Sequence, residues 1–112
     1  MDILVVDDDE GIRTLLQQQL SGFGYRVDVA KDGHDALMRL TNATYRLILT
    51  DYHMPRLDGP GLIERARETV PNLPCVLMTG SRYNAQHCNG VPVIEKPFQL
   101  TDLDRILRHC LR

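Results

Sequence analysis

Short apolar runs alternate with amphipathic stretches along the whole chain. The runs are Ile3-Leu4-Val5-Val6, residues 25–30, residues 46–50, residues 75–78 and residues 92–95. Each has the length of a strand. The third and fourth are apolar throughout, as a sheet covered on both faces requires. Between the runs, apolar residues recur at helical spacing. A helix is predicted over about 10–21, with Ile12, Leu15, Leu16 and Leu20 on one face and Gly22 and Gly24 as stop signals. A second begins at Asp32, a good N-cap, and turns Ala36, Leu37 and Leu40 inward. A third is capped by Asp58, tolerates Pro60 in its first turn, and presents Leu62, Ile63, Ala66 and Val70. The last runs over about 99–111, with Leu100, Leu103, Ile106, Leu107, Cys110 and Leu111 inward.

Gly80 to Gly90 is the weak stretch. Only Tyr83, Ala85 and Cys88 are available there for a buried face, so a fourth helix in it is expected to be short or irregular.

Strand–helix alternation with short connections implies parallel strands and right-handed crossovers. The expected fold is therefore α/β, a doubly wound five-stranded parallel sheet in the flavodoxin-like order 2-1-3-4-5. One domain spans 1–112, with no repeats and no linker.

That topology gives meaning to the polar residues at the strand tips. Asp7-Asp8-Asp9 follow the first run, Asp51 the third, Thr79 the fourth and Lys96 the fifth. Strand ends of one polarity share one edge of a parallel sheet, where ligands bind. The order places the first acids beside Asp51 at the switch point. An acidic run opening a helix is ordinarily a solvated cap, favoured by the helix dipole. Clustered carboxylates repel, however, unless a cation sits among them. Oxygen-only donors favour a hard cation, Mg²⁺ or Mn²⁺. A carboxylate beside such an ion, with a lysine and a hydroxyl opposite, makes a site for a phosphoryl group.

Composition narrows the alternatives. Hydrophobic residues make up 43% and charged residues 25%, as in a folded globular chain. The net charge of −2, without a basic tail, argues against direct nucleic-acid binding. No apolar run approaches the ~18 residues of a membrane span, and the N-terminus does not read as a signal peptide. The 3 cysteines, Cys75, Cys88 and Cys110, share no metal-ligand spacing and read as reduced thiols of a cytoplasmic protein. Cys75 is placed in a strand, Cys110 on a helix face and Cys88 in an exposed loop.

The acids Asp7-Asp8, the segment Asp51-Tyr52-His53-Met54-Pro55, then Asp58-Gly59, Thr79 and Lys96-Pro97-Phe98 together resemble the receiver domains of two-component response regulators. The resemblance covers essentially the whole chain. It implies that Asp51 is the phosphoacceptor, taking its phosphoryl group from a phosphohistidine on a sensor histidine kinase or histidine phosphotransfer domain. It implies Mg²⁺ bound by Asp8, Asp51 and the main-chain carbonyl of His53, with Asp7 contributing through water. Thr79 and Lys96 would contact the phosphoryl oxygens. Such a protein is a signalling phosphoacceptor rather than an enzyme, and helix one with the loop after the fifth strand is its expected docking surface.

Two departures stand out. Receivers commonly carry an aromatic residue three positions before the strand-five lysine, and here that residue is Val93. The stretch from Thr79 to Lys96 is also shorter than usual. Acceptor chemistry is thus expected to be intact, while the signal travels by loop rearrangement or through a face such as helix one. His53 and Ser81 are candidates for tuning phosphate lifetime.

Other readings remain. A haloacid dehalogenase-type phosphatase wants a second acid two residues after its nucleophile, where this chain has His53. A flavodoxin-type FMN carrier wants a hydroxyl- and Gly-rich phosphate loop after strand one, where this chain has acids. A degenerate receiver would act only as a protein-binding module. The sequence leaves cognate partner, output and oligomeric state open.

Overall fold

The computed structural model describes residues 1–80 and 90–111. The expected short helix before Gly90, Ser81 and Cys88 lie outside the described residues. The strands are β1 (Ile3–Val6), β2 (Val27–Ala30), β3 (Leu47–Asp51), β4 (Cys75–Thr79) and β5 (Val93–Glu95). They form one sheet in the order β2-β1-β3-β4-β5, and every pairing is parallel. The helices among the described residues are α1 (Glu10–Gly22), α2 (Gly33–Asn42), α3 (Gly59–Thr69) and α4 (Leu100–Cys110).

Alternation along each strand divides the core in two. Ile3 and Val5, Leu47 and Leu49, and Val76 and Met78 pack with Leu16 and Leu20 of α1 and Leu103 and Leu107 of α4. Leu4 and Val6, Ile48, Leu77 and Cys75 pack on the other face with Ala36 of α2 and Leu62, Ile63 and Ala66 of α3. Burying each of these aliphatic side chains contributes about 1.5–3 kcal/mol before the entropy of ordering is subtracted. Three helices start where a carboxylate caps them. Asp9 accepts from the Ile12 N–H, Asp32 from Asp35 and Asp58 from Gly61.

The expected elements differ from the observed ones at their margins. Leu15 is 48% exposed, not inward. Ile12, Leu16 and Leu20 already form the inner stripe at i, i+4 and i+8, which leaves Leu15 on its flank. Val70 follows the end of α3 and is 39% exposed. β5 begins at Val93, because Pro92 has no N–H for the ladder and only its carbonyl is used, accepting from Leu77.

Candidate functional site

Strand parity builds the site. Asp7 continues the Ile3, Val5 side of β1, Asp51 the Leu47, Leu49 side of β3, and Lys96 the side of Ile94 in β5. These residues all face the layer of α1 and α4. Register then brings them level. Val5 pairs with Leu49, so Asp7 and Asp51 stand at matching heights on adjacent strands. Met78 pairs with Ile94, and the Lys96 N–H closes on the Thr79 carbonyl at 2.7 Å, which sets the lysine just beyond the tip of β4. The Lys96–Pro97 peptide bond is cis.

The outcome is a carboxylate cluster bridged by one ammonium. Asp7, Asp8 and Asp51 each offer an oxygen within 4.8 Å of the others. Lys96 Nζ lies 3.1 Å from Asp51 Oδ1 and 3.3 Å from Asp7 Oδ2. Asp7 is 1% exposed, Asp51 half-buried and Asp8 open to solvent. Burial pushes the Asp7 carboxyl above its usual range. The Asp9 N–H and the Lys96 charge oppose this, the Asp51 charge adds to it, and the net direction is upward. For Lys96 burial works against the charged form, but the hydrogen bond to Asp51 and the charges of Asp7 and Asp51 outweigh it and hold the ammonium above its ordinary value.

The loops fix the rest. The Asp9 N–H donates to Asp7 Oδ1 at 2.9 Å, tying the start of α1 to the buried acid. Beyond Asp51, the Tyr52 N–H donates to the Met78 carbonyl and the Gly59 N–H to the Tyr52 carbonyl. His53 is exposed, its ring tilted against Tyr52 with 4.8 Å between centroids. Thr79 is the last residue of β4 and fully buried. Thus Lys96 joins Asp7 and Asp51 directly, Asp8 lies within 4.8 Å of both acids, Thr79 ends the strand between β3 and β5, and His53 is exposed.

The donor chemistry fits a small hard cation. Octahedral Mg²⁺ with bonds of about 2.0–2.1 Å needs oxygens roughly 3–4 Å apart, and three carboxylates within 4.8 Å reach that by a small contraction. Among the described residues, no histidine or cysteine joins that cluster.

Three further residues support the cluster. Thr50 Oγ1 donates to the Asp51 carbonyl at 3.0 Å. Gly59 packs its bare Cα against that same carbonyl. Arg13 Nη1 donates to the Asp7 carbonyl at 2.7 Å. Gly59 belongs to a visible Asp-Gly signal, but nothing in the spacing announces the other two.

The response regulator receiver domain model matches residues 3–108. The chain belongs to this family. Its receiver fold is that of the Vibrio cholerae chemotaxis protein CheY4, with a TM-score of 0.90 and 28% identity over 98% of each chain. The Thermotoga maritima response regulator TrrA, solved in complex with Mg(2+)-BeF, superposes with a TM-score of 0.89 at 29% identity, covering 99% of this chain and 100% of that one. Among curated relatives, the response regulator MprA of Mycobacterium sp. (strain KMS) is 36% identical over 98% of this chain and 50% of its own length. The transcriptional regulatory protein ZraR of Salmonella typhimurium is 33% identical over 99% of this chain and 26% of its own length. The chain therefore spans about half or less of the length of these relatives. Receiver domains of response regulators are signalling domains of two-component systems. No helix among the described residues is long and apolar enough to cross a membrane.

Proposed function

We propose that this receiver domain accepts a phosphoryl group on Asp51 from a phosphohistidine of a sensor histidine kinase or histidine phosphotransfer domain, with Mg²⁺, and changes conformation in response. One observation carries the reading. The Asp51 carboxylate lies within 4.8 Å of two further carboxylates and 3.1 Å from a lysine ammonium, at the crest of a parallel sheet. An Asp51 oxygen attacks phosphorus, forming a P–O bond while the P–N bond breaks and its electron pair returns to the imidazole.

Asp8, Asp51 and the main-chain carbonyl of His53 would hold the cation, with Asp7 acting through water. Bound there, Mg²⁺ (or Mn²⁺) supplies neutralisation of the phosphoryl oxygens. Lys96 now pairs with Asp7 and Asp51. After transfer its ammonium turns to a phosphoryl oxygen, and the Thr79 hydroxyl meets another.

Donor docking is supported by an apolar cavity of about 360 Å³ lined by Ile12, Leu15, Leu16, Lys96, Pro97 and Phe98. It opens beside Lys96, so a histidine on a helix seated there reaches the crest. Val93 is only half-buried and has no ring to rotate. The signal is therefore assigned to loop rearrangement or to α1, which a comparison of free and beryllofluoride-bound NMR shifts tests.

The deciding experiment is incubation with Mg²⁺ and acetyl phosphate, followed by intact-mass analysis of wild type and Asp51→Asn. One phosphoryl mass on wild type and none on the variant is expected. A mass gain on both excludes Asp51 as the acceptor.

A further inference from the structure

Asp7 is pinned at every polar atom. Its N–H donates to the Ala30 carbonyl at 3.3 Å, Oδ1 accepts from the Asp9 N–H, and Oδ2 faces Lys96. Its carbonyl is the exception to backbone pairing. β1 is an interior strand, flanked by β2 and β3, but the chain leaves the ladder at Val6. Among the described residues, the Asp7 carbonyl accepts from the Arg13 guanidinium, 2.7 Å away, and from no backbone N–H. A buried carbonyl without a partner is destabilising, and a charged donor makes the stronger kind of bond.

Arg13 is well held to make this contact. It belongs to the first turns of α1, where its own N–H donates to the Asp9 carbonyl at 3.1 Å. The side chain thus reaches back past Asp8 to the Asp7 carbonyl. Asp8 lies between the two anchored residues and is open to solvent.

We infer that Arg13 is a positioning residue for the cation site: by holding the Asp7 carbonyl it fixes the loop from β1 to α1 so that the Asp7 and Asp8 carboxylates converge on Asp51. The inference rests on the reading of the cluster as a Mg²⁺ site.

Charge and position predict opposite signs here, which makes the proposal easy to overturn. An arginine near a cation site repels the cation, so its charge alone weakens Mg²⁺ binding. Its loss would tighten binding if charge were all that mattered. Loss of the anchor instead lets the acids spread and weakens binding. The measurement is Mg²⁺ titration by calorimetry on wild type, Arg13→Met and Arg13→Lys, with thermal melts to establish that each is folded. Arg13→Met is expected to bind Mg²⁺ about five- to tenfold more weakly. Arg13→Lys, which can still donate to the carbonyl, should recover part of the loss. Acetyl phosphate labelling of Arg13→Met should be slow at low Mg²⁺ and approach the wild-type rate at saturating Mg²⁺. Unchanged or tighter Mg²⁺ binding by Arg13→Met overturns the inference. If that variant does not fold, Arg13→Lys binding as wild type or more tightly overturns it. If wild type itself binds Mg²⁺ but takes no phosphate, the proposed function fails while the role of Arg13 still stands. If wild type binds no Mg²⁺, both fall.

Discussion

A Cβ built on Gly59 would lie 2.5 Å from the main-chain oxygen of Asp51. Leu77 Cδ2 at 2.7 Å and the Tyr52 Cα at 3.0 Å close the same space. Gly59 is the first residue of α3, so the helix is seated directly on the carbonyl of the proposed phosphoacceptor.

Gly59→Ala is therefore expected to cost about 2–3 kcal/mol in chemical denaturation, as overpacking against backbone does. Gly22→Ala is the control. It closes α1, and its Cβ would meet nothing within 4 Å. Its net change should stay within about 1 kcal/mol. Acetyl phosphate labelling should slow in Gly59→Ala and not in Gly22→Ala.

Three acids cluster at the crest and one lysine pairs with two of them, so a divalent cation should stabilise the fold. At a Mg²⁺ concentration ten times its Kd the gain is about 1.4 kcal/mol by linkage, read as a rise in Tm. Asp8→Asn leaves the Asp7–Lys96–Asp51 bridge in place and removes one ligand. Its Tm should equal or exceed that of wild type without Mg²⁺ and respond less to the ion. An undiminished Mg²⁺ response in Asp8→Asn would remove that residue from the ligand set.

Far from the site, Tyr45 donates to Asp28 Oδ2 at 2.6 Å, and Arg39 Nη1 lies 3.1 and 3.2 Å from the two Asp28 oxygens. Burial and the Asp28 carboxylate push the Tyr45 hydroxyl up to about 12 from its ordinary 10.0. Burial alone would raise Asp28, but the bonds from Tyr45 and the Val29 N–H, with the Arg39 charge, hold it below 3.8. The signs set a window. The Tyr45 contribution is complete below pH 10 and fades as pH rises through about 12. The Asp28 contribution is complete above its unfolded value and fades as pH falls through its lowered folded one. Tyr45→Phe should thus cost about 1–2 kcal/mol at pH 7. The gap to wild type should narrow at both extremes in pH-dependent denaturation. A constant gap across the range would break the link to ionisation.

Most of this architecture was readable because strands, helices and tip positions follow from patterning, while the strand order 2-1-3-4-5 leans on the receiver resemblance. Asp7, Asp51 and Lys96 are each the second residue beyond a buried neighbour on the same strand side, and parallel register does the rest. What was hidden depends on where loops fold back. Arg13 reaches Asp7 across six positions and a change of element, which no period encodes. The Gly59 contact with Asp51 is a matter of interatomic space. Leu15 was misplaced because apolar identity on a helix does not decide which flank faces the sheet. Its exposure beside Phe98 is also what gives the proposed docking cavity its apolar wall.

The loop after Asp51 contains a final, separable test. The Leu57 N–H donates to the Pro55 carbonyl at 2.8 Å, and Arg56 between them has a φ of 69°. This is a γ-turn with positive φ, a rare and strained form for a residue with a Cβ. Arg56 also lies 3.6 Å from Asp32, but its side chain is 73% exposed. An exposed pair of that length is worth under about 1 kcal/mol. Two substitutions separate these contributions. Arg56→Ala removes the ion pair and keeps the Cβ, whereas Arg56→Gly removes both. The Cβ penalty in this region is about 1–2 kcal/mol, offset in part by the extra freedom glycine gives the unfolded chain. Arg56→Gly should therefore be more stable than Arg56→Ala by about 1 kcal/mol, and within about 1 kcal/mol of wild type. If Arg56→Ala proves the more stable of the two, the turn is not under backbone strain, and the arginine is held there by its side chain instead.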